Sequence, residues 1–171
     1  GSGNQGMTAS LPVITYARDR GASEEELLRA LAVADLVTIH QKTGIGRLSA
    51  FCGAVSAGCG AAAGIAYLLG GRYDVIAHTV ANTLAICAGM ICDGAKESCG
   101  LKVSNAASEA WSAAMLALEN RGIRNTQGII SPDIHELGIT LREFNEKIFS
   151  AADSVMIGLM TRQNRSAESR A

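Results

Sequence analysis

The chain has 171 residues, 48% of them from the hydrophobic set, enough for one core and too little for two comfortable domains. With 15 Lys and Arg against 16 Asp and Glu the formal charge is −1, so no global field draws in nucleic acid or an anionic membrane. Aromatic residues are scarce at 4% while Gly occurs 19 times, so Ala, Gly, Leu, Ile and Val must fill the interior, a mixture suited to closely packed helices.

The opening Gly1-Ser2-Gly3-Asn4-Gln5-Gly6 formally matches G-x-G-x-x-G, but that fingerprint needs a preceding strand and an α/β context, and neither is present. Two readings stand: a cloning scar ahead of Met7, or a loop whose backbone N–H groups form an anion-binding nest leading into a helix near Ser10-Leu11-Pro12. Ser23-Glu24-Glu25-Glu26 is a capping box that predicts a helix to about His40, with Leu27, Leu28, Leu31, Val33, Leu36 and Ile39 at roughly helical spacing. Gly44 and Gly46 break it. A second helix is expected from Arg47 to Leu69, stopped at Gly70-Gly71. A third runs from about Tyr73 to Met90, and a fourth from about Ser98 to Asn120, closed by Arg121-Gly122. Residues 123–138, with Asn, Gly, Ser-Pro and Asp, read as an ordered loop with at most one helical turn. Thr140-Leu141-Arg142-Glu143 is a second capping box, opening a terminal helix through about Leu159, and a frayed tail is expected over residues 161–171. No segment alternates as a strand does. The expected fold is all-α, a single domain of Gly/Ala-rich helices over residues 1–160.

Charge is absent from the centre: the 45 residues from Leu48 to Cys92 hold only Arg72 and Asp74 of the 31 charged side chains. The 24 uncharged residues from Leu48 to Gly71 exceed the roughly 20 that a spanning helix needs. Their Ser, Cys, Gly and Ala content is weakly hydrophobic, however, and the next segment carries His78, Thr79, Asn82 and Thr83. Buried helices outside a membrane are the preferred reading. All five cysteines (Cys52, Cys59, Cys87, Cys92 and Cys99) lie in or just after this stretch. An odd number in apolar surroundings, with no secretory signal ahead, points to a reducing compartment, the cytoplasm by default.

Cysteine spacing is the strongest local clue to chemistry. Cys52 and Cys59 are two helical turns, about 10.5 Å, apart and cannot share one small ion, though one of them could join the turn that carries Cys92 and Cys99. Ligands from separate elements suit a cluster better than a zinc knuckle, which wants cysteines two to four apart. The competing reading is that cysteines among Ala and Gly are small core residues. His40 lies at a helix end, where it could cap as readily as move protons. His78 and Asn82, one turn apart on an otherwise apolar helix, read as facing each other or a polar pocket, with a satisfied core histidine as the competing reading, and His135 reads as a surface residue. Lys96 and Lys102 flank Cys99, where two cations could hold a substrate carboxylate.

Three motifs in a fixed order carry a family resemblance: the Gly1-to-Gly6 loop, Ile45-Gly46-Arg47-Leu48-Ser49-Ala50-Phe51-Cys52-Gly53, and Ile91-Cys92-Asp93-Gly94-Ala95-Lys96 with Cys99 and Lys102. Together they resemble the L-serine dehydratase alpha-chain and L-cysteine desulfidase superfamily over almost the whole chain. The closer resemblance is to the desulfidase-like branch, because C-D-G-A-K differs from the Cys-Asp-Pro form usual in serine dehydratases. The resemblance also favours the natural loop over the cloning scar at the N-terminus.

It implies an oxygen-sensitive four-iron four-sulfur cluster held by three thiolates, easily lost from an aerobically prepared or truncated protein, with one iron left open as a Lewis acid. The implied reaction is α,β-elimination from L-cysteine or L-serine: a base takes the α-proton, sulfide or water leaves, and the aminoacrylate collapses to pyruvate and ammonia. Cys52 and Cys92 carry over as ligands, with Cys99 as the third unless a cysteine outside this chain fills that role. Ser2, Gly3, Asn4 and Gln5 are the implied substrate-binding loop and Lys96 the catalytic, charge-neutralising residue. Cys59 and Cys87 are core fillers. Family members have a substantial part ahead of the loop, so the expected partners are a small amino-acid substrate and the missing N-terminal portion of the same enzyme or a separate subunit. A homo-oligomer is compatible with this, whereas no nucleic acid and no membrane is expected. The alternative is a non-catalytic interaction or regulatory module that keeps the fold without the cluster.

Overall fold

The computed structural model describes residues 3–46 and 49–168. Seven α-helices are described: α1 (Gly3–Asp19), α2 (Glu24–Ile45), α3 (Gly53–Leu68), α4 (Tyr73–Cys87), α5 (Cys99–Leu118), α6 (Ile134–Phe144) and α7 (Ser150–Glu168). A π-helical turn, Asn145–Phe149, joins the last two, and no strand occurs among the described residues. None of the described helices is long and apolar enough to cross a membrane. The all-α expectation holds.

Helix α3 is the axle of the fold, buried along nearly its whole length, with α1, α2, α4 and α5 packed around it. Its composition explains this. A Cβ on Gly60 would stand 2.0 Å from Thr38 Oγ1 and 2.4 Å from the Ala34 carbonyl oxygen; one on Gly64 would stand 2.8 Å from Val13 and 2.9 Å from the Ala30 carbonyl oxygen. Only hydrogen fits where α2 comes this close. The same approach dictates the inner face of α2, which buries Ala30, Ala34, Gln41 and Ile45. Leu28, Leu36 and Ile39 accordingly point outward, at 59%, 66% and 61% exposure, although their spacing reads as that of a core face. The larger core side chains gather at the other end, where Val55, Leu84, Leu137, Leu141 and Phe149 pack with Cys59 and Cys87.

Several boundaries differ from the sequence reading. The N-terminal helix starts at Gly3, well before Ser10, and Pro12 lies inside it. The Ser23 capping box forms as expected, with Ser23 Oγ accepting from the Glu26 N–H and Glu26 returning a bond to the Ser23 N–H. The helix it opens runs past His40 to Ile45, and Gly46 stops it at φ +84°, donating its N–H to the Lys42 carbonyl. The expected start of the next helix, at Arg47, lies outside the described residues, and α3 begins only at Gly53. The delay has a cause: Phe51 forms an isolated antiparallel bridge with Ile91, which holds both segments extended and ends α4 at Cys87.

The Thr140 capping box does not exist. Thr140 lies inside α6, which Asp133 opens by accepting the N–H groups of His135 (2.8 Å) and Glu136 (3.0 Å). Asp133-Ile134-His135-Glu136 carries the same spacing one helical segment earlier, directly after Pro132, and it wins because its N–H donors have no other acceptor. Helix α7 continues beyond Thr161 to Glu168. His78 and Asn82 do not pair either. Asn82 donates to the Ala113 carbonyl (3.3 Å) and accepts from the Ile123 N–H (2.8 Å), fastening the turn at Gly122, where φ is +105°.

Candidate active site

The Phe51–Ile91 bridge places two cysteines. Cys52 donates its N–H to the Met90 carbonyl (3.1 Å) and Cys92 donates to the Ala50 carbonyl (2.6 Å). In an antiparallel pair, residues flanking the bridge turn to the face opposite Phe51 and Ile91, so Cys52 and Cys92 become diagonal neighbours, with Cα atoms about 7–8 Å apart. Forty residues of sequence separation are removed by one ladder step.

The third thiol is brought in by the turn after Cys92. Gly94 adopts φ +92°, and Cys99 Sγ stands 3.4 Å from the Lys96 N–H and 3.5 Å from the Gly94 carbonyl oxygen. Asp93 pins the turn. It takes both Lys96 Nζ and Lys102 Nζ (2.8 Å), and these two cations hold its carboxyl at about 2, well below the usual carboxylate range. Lys102 Nζ also donates to the Ile91 carbonyl (2.6 Å), which ties α5 back to the bridge.

A cavity of about 460 Å³ opens where these elements meet. Its lining includes Gly3, Asn4 and Gln5 from α1, Cys52 and Gly53 at the start of α3, Cys92 and Gly94 from the turn, and Cys99 and Lys102 from α5. Thus α3 and α5 present their N-terminal ends to one space, beside the first described residues of α1. Each such end carries unpaired N–H groups and the positive pole of the helix dipole. The cavity also receives Lys42 from the last turn of α2, and no carboxylate or imidazole belongs to its described lining. Two ammonium groups and helix N-termini, with no carboxylate in the described lining, favour negative charge in this space. Gln5 lies across the start of α3 so tightly that a Cβ on Gly53 would fall 2.1 Å from its Nε2.

The thiols differ in environment. Cys52 is 7% exposed and burial pushes its thiol up from the ordinary value. Cys92 and Cys99 are half-buried and face the cavity. Cys59 and Cys87 lie in the core away from the lining. Burial pushes the Cys87 thiol up to about 11 and that of Cys59 higher still. Of the sequence-predicted site residues, the structure therefore assembles Gly3, Asn4, Gln5, Cys52, Cys92 and Cys99. Ser2 lies outside the described residues. Lys96 does not line the cavity, and its ammonium is turned to Asp93.

Sequence reasoning missed the residues that hold the Cys52 loop from behind. Asn145, in the π turn, donates to the Ile45 carbonyl (3.0 Å) and accepts from the Ser49 hydroxyl (2.6 Å), while Asp153 on α7 accepts the Ala50 N–H (2.5 Å). Phe149 packs edge-on against Phe51 at 5.2 Å between ring centroids. A π turn widens the helix locally and is a common device at functional sites. Here it swings Asn145 and Phe149 onto the loop, and nothing local in the sequence announces it.

The donor set can be tested against an iron–sulfur cluster. Among the described residues no three His, Cys, Asp or Glu side chains converge as they would on a single metal ion. Cys52, Cys92 and Cys99 nonetheless line one cavity, and thiolates on separate elements are the donor type that a polynuclear cluster would use, one to each iron. The surrounding helix N-termini and lysines would offset the charge of such a group.

Comparison with known proteins agrees with this geometry. The family model described as serine dehydratase alpha chain matches residues 1–151. A UPF0597 protein of Desulfitobacterium hafniense is 48% identical over 163 residues, covering 95% of this chain and 38% of that protein. UPF0597 proteins of Fusobacterium nucleatum (45% over 162 residues) and Bacteroides thetaiotaomicron (44% over 161 residues) are covered to the same 38%, and match 95% and 94% of this chain. The chain thus spans about two-fifths of the length of these curated relatives. No solved structure matches it. With the family model matching most of its length, the chain belongs to the serine dehydratase alpha chain family.

Proposed function

We propose that this chain is the cluster-binding and substrate-holding part of an iron–sulfur lyase that eliminates sulfide from L-cysteine or water from L-serine, leaving pyruvate and ammonia. The observation that carries the reading is the convergence of three thiols, two helix N-termini and two lysines on one cavity. Cys52, Cys92 and Cys99 would hold a four-iron four-sulfur cluster, with a cysteine from elsewhere in a longer protein as the other candidate for the third position. When bound, the cluster supplies a Lewis-acidic iron at its open corner. Asn4 and Gln5 line the cavity with amide groups suited to a carboxylate or an amine. Asp93 keeps Lys96 and Lys102 engaged and so maintains the turn between Cys92 and Cys99. The described lining offers no carboxylate or imidazole for the α-proton, which fits a site completed by a further segment or a second subunit.

The test uses the complete polypeptide that contains this chain, reconstituted with iron and sulfide under anaerobic conditions. Pyruvate release is then measured from L-cysteine and from L-serine. The expected outcome is a brown protein that bleaches in air and releases pyruvate from at least one of the two. A complete polypeptide that retains no iron would refute the reading and favour the non-catalytic module.

A further inference from the structure

The cavity holds one cation that neither the cysteine turn nor its ion pairs account for. Lys42 projects from the last turn of α2, half-buried, into the space lined by Cys52, Cys92 and Cys99. Burial lowers its pKa, and ionised Cys92 or Cys52 would raise it, so both sulfurs lie within its electrostatic reach. Among the described residues it forms neither an ion pair nor a side-chain hydrogen bond. The two lysines of the turn behave differently. Lys96 is bound to Asp93, and Lys102 spends two of its three N–H donors on Asp93 and the Ile91 carbonyl. Removing an ammonium partly from water without a partner is unfavourable, and an anion delivered from outside the chain would relieve it.

We propose that Lys42 is the carboxylate anchor of this site, holding the carboxylate of a small α-amino acid beside Cys92 and Cys52. The assignment rests on the lyase reading for the identity of the ligand, and on the geometry alone for the choice of residue. It places the anchor on the α2 side of the cavity, and it leaves Lys96 to Asp93.

The test needs no cluster and no catalysis. Iodoacetate and iodoacetamide have nearly the same size and the same leaving group, and only the first carries a carboxylate. Each is reacted with the 171-residue chain, and the alkylation rate at Cys92 is read by peptide mass mapping. The ratio of the two rates cancels any change in how much of the thiol is ionised. The expected ratio at Cys92 is about fivefold above that of N-acetylcysteine, equivalent to about 1 kcal/mol of attraction. Lys42→Gln should return it to the N-acetylcysteine value, Lys42→Arg should keep most of it, and surface Lys147→Gln should leave it unchanged. L-Serine should slow the iodoacetate reaction in the parent and not in Lys42→Gln. A parent ratio equal to that of N-acetylcysteine, or a ratio unaltered in a helical, folded Lys42→Gln, overturns the proposal. If Lys42→Gln does not fold, the parent ratio and the L-serine protection still decide it. Iron retention by the longer polypeptide is a separate measurement, so failure of the cluster and failure of the anchor give different results.

Discussion

Two glycines on α3 face neighbours of different hardness, and replacing each by alanine separates a structural role from a site role. At Gly60 the new Cβ would stand 2.4 Å from the Ala34 carbonyl oxygen and 2.0 Å from Thr38 Oγ1. The hydroxyl can rotate, although it donates to that same carbonyl at 2.8 Å. The carbonyl is helix backbone and moves only if α2 and α3 separate. Overpacking costs about 1–3 kcal/mol and a backbone-limited clash sits at the upper end. Alanine returns up to about 1 kcal/mol through helix propensity, so the net loss should be about 2 kcal/mol. For a chain of this size that lowers the melting temperature by roughly 4–8 °C. At Gly53 the new Cβ meets only the Gln5 side chain, with Nε2 at 2.1 Å and Cγ at 2.9 Å. Turning that flexible group aside costs about 1 kcal/mol, again offset by propensity, so Gly53→Ala should remain within about 1 kcal/mol of the parent. Urea denaturation followed by circular dichroism at 222 nm measures both. The reasoning fails if Gly60→Ala is as stable as the parent, or if Gly53→Ala is the more damaged. In the longer polypeptide, Gly53→Ala should weaken binding of a small amino acid because Gln5 has left its place.

Cys92→Ser in the complete polypeptide should abolish iron retention while Cys87→Ser leaves it nearly unchanged, read by iron analysis after anaerobic reconstitution; equal loss in both would show that ligand and core had been confused. Asn145→Ala should cost about 1–3 kcal/mol, since it leaves the Ile45 carbonyl and the Ser49 hydroxyl without their partner, and it should raise the alkylation rate of Cys52 as the loop loosens. The Cys87 thiol, raised from 9.0 to about 11 by burial, contributes stability that is complete below pH 9 and is lost as pH rises through about 11. Denaturant titrations between pH 8 and 11 should therefore show an alkaline decline that Cys87→Ala makes shallower, and an identical decline in both proteins would contradict this.

Much of the site was legible because its parts are local motifs. The Ser23 capping box, the Gly/Ala load of α3 and the short intervals around Cys92 and Cys99 involve residues within a few positions of one another. Their physics is complete at that range. The misread Thr140 box shows the limit: two patterns seven residues apart, at Asp133 and at Thr140, both satisfy the spacing, and the choice depends on where the preceding chain leaves N–H groups unpaired. The outward turn of Leu28, Leu36 and Ile39 has the same origin. Helical spacing says which residues share a face, but the backbone approach at Gly60 and Gly64 decides which face of α2 can be buried.

By itself the sequence determined a helical chain without a dominant charge, a central uncharged segment, and the candidates Cys52, Cys92 and Cys99. Tertiary structure alone decided what surrounds them. Lys42 enters from α2, Asn145 and Asp153 grip the Cys52 loop from roughly a hundred residues away, and the N-termini of α3 and α5 meet the first described residues of α1 at one cavity. Each of these is a long-range interaction between groups that look ordinary in their local sequence. An ammonium or a helix end acquires a role only when packing removes its water and sets an unpaired partner before it, and no spacing along the chain encodes that.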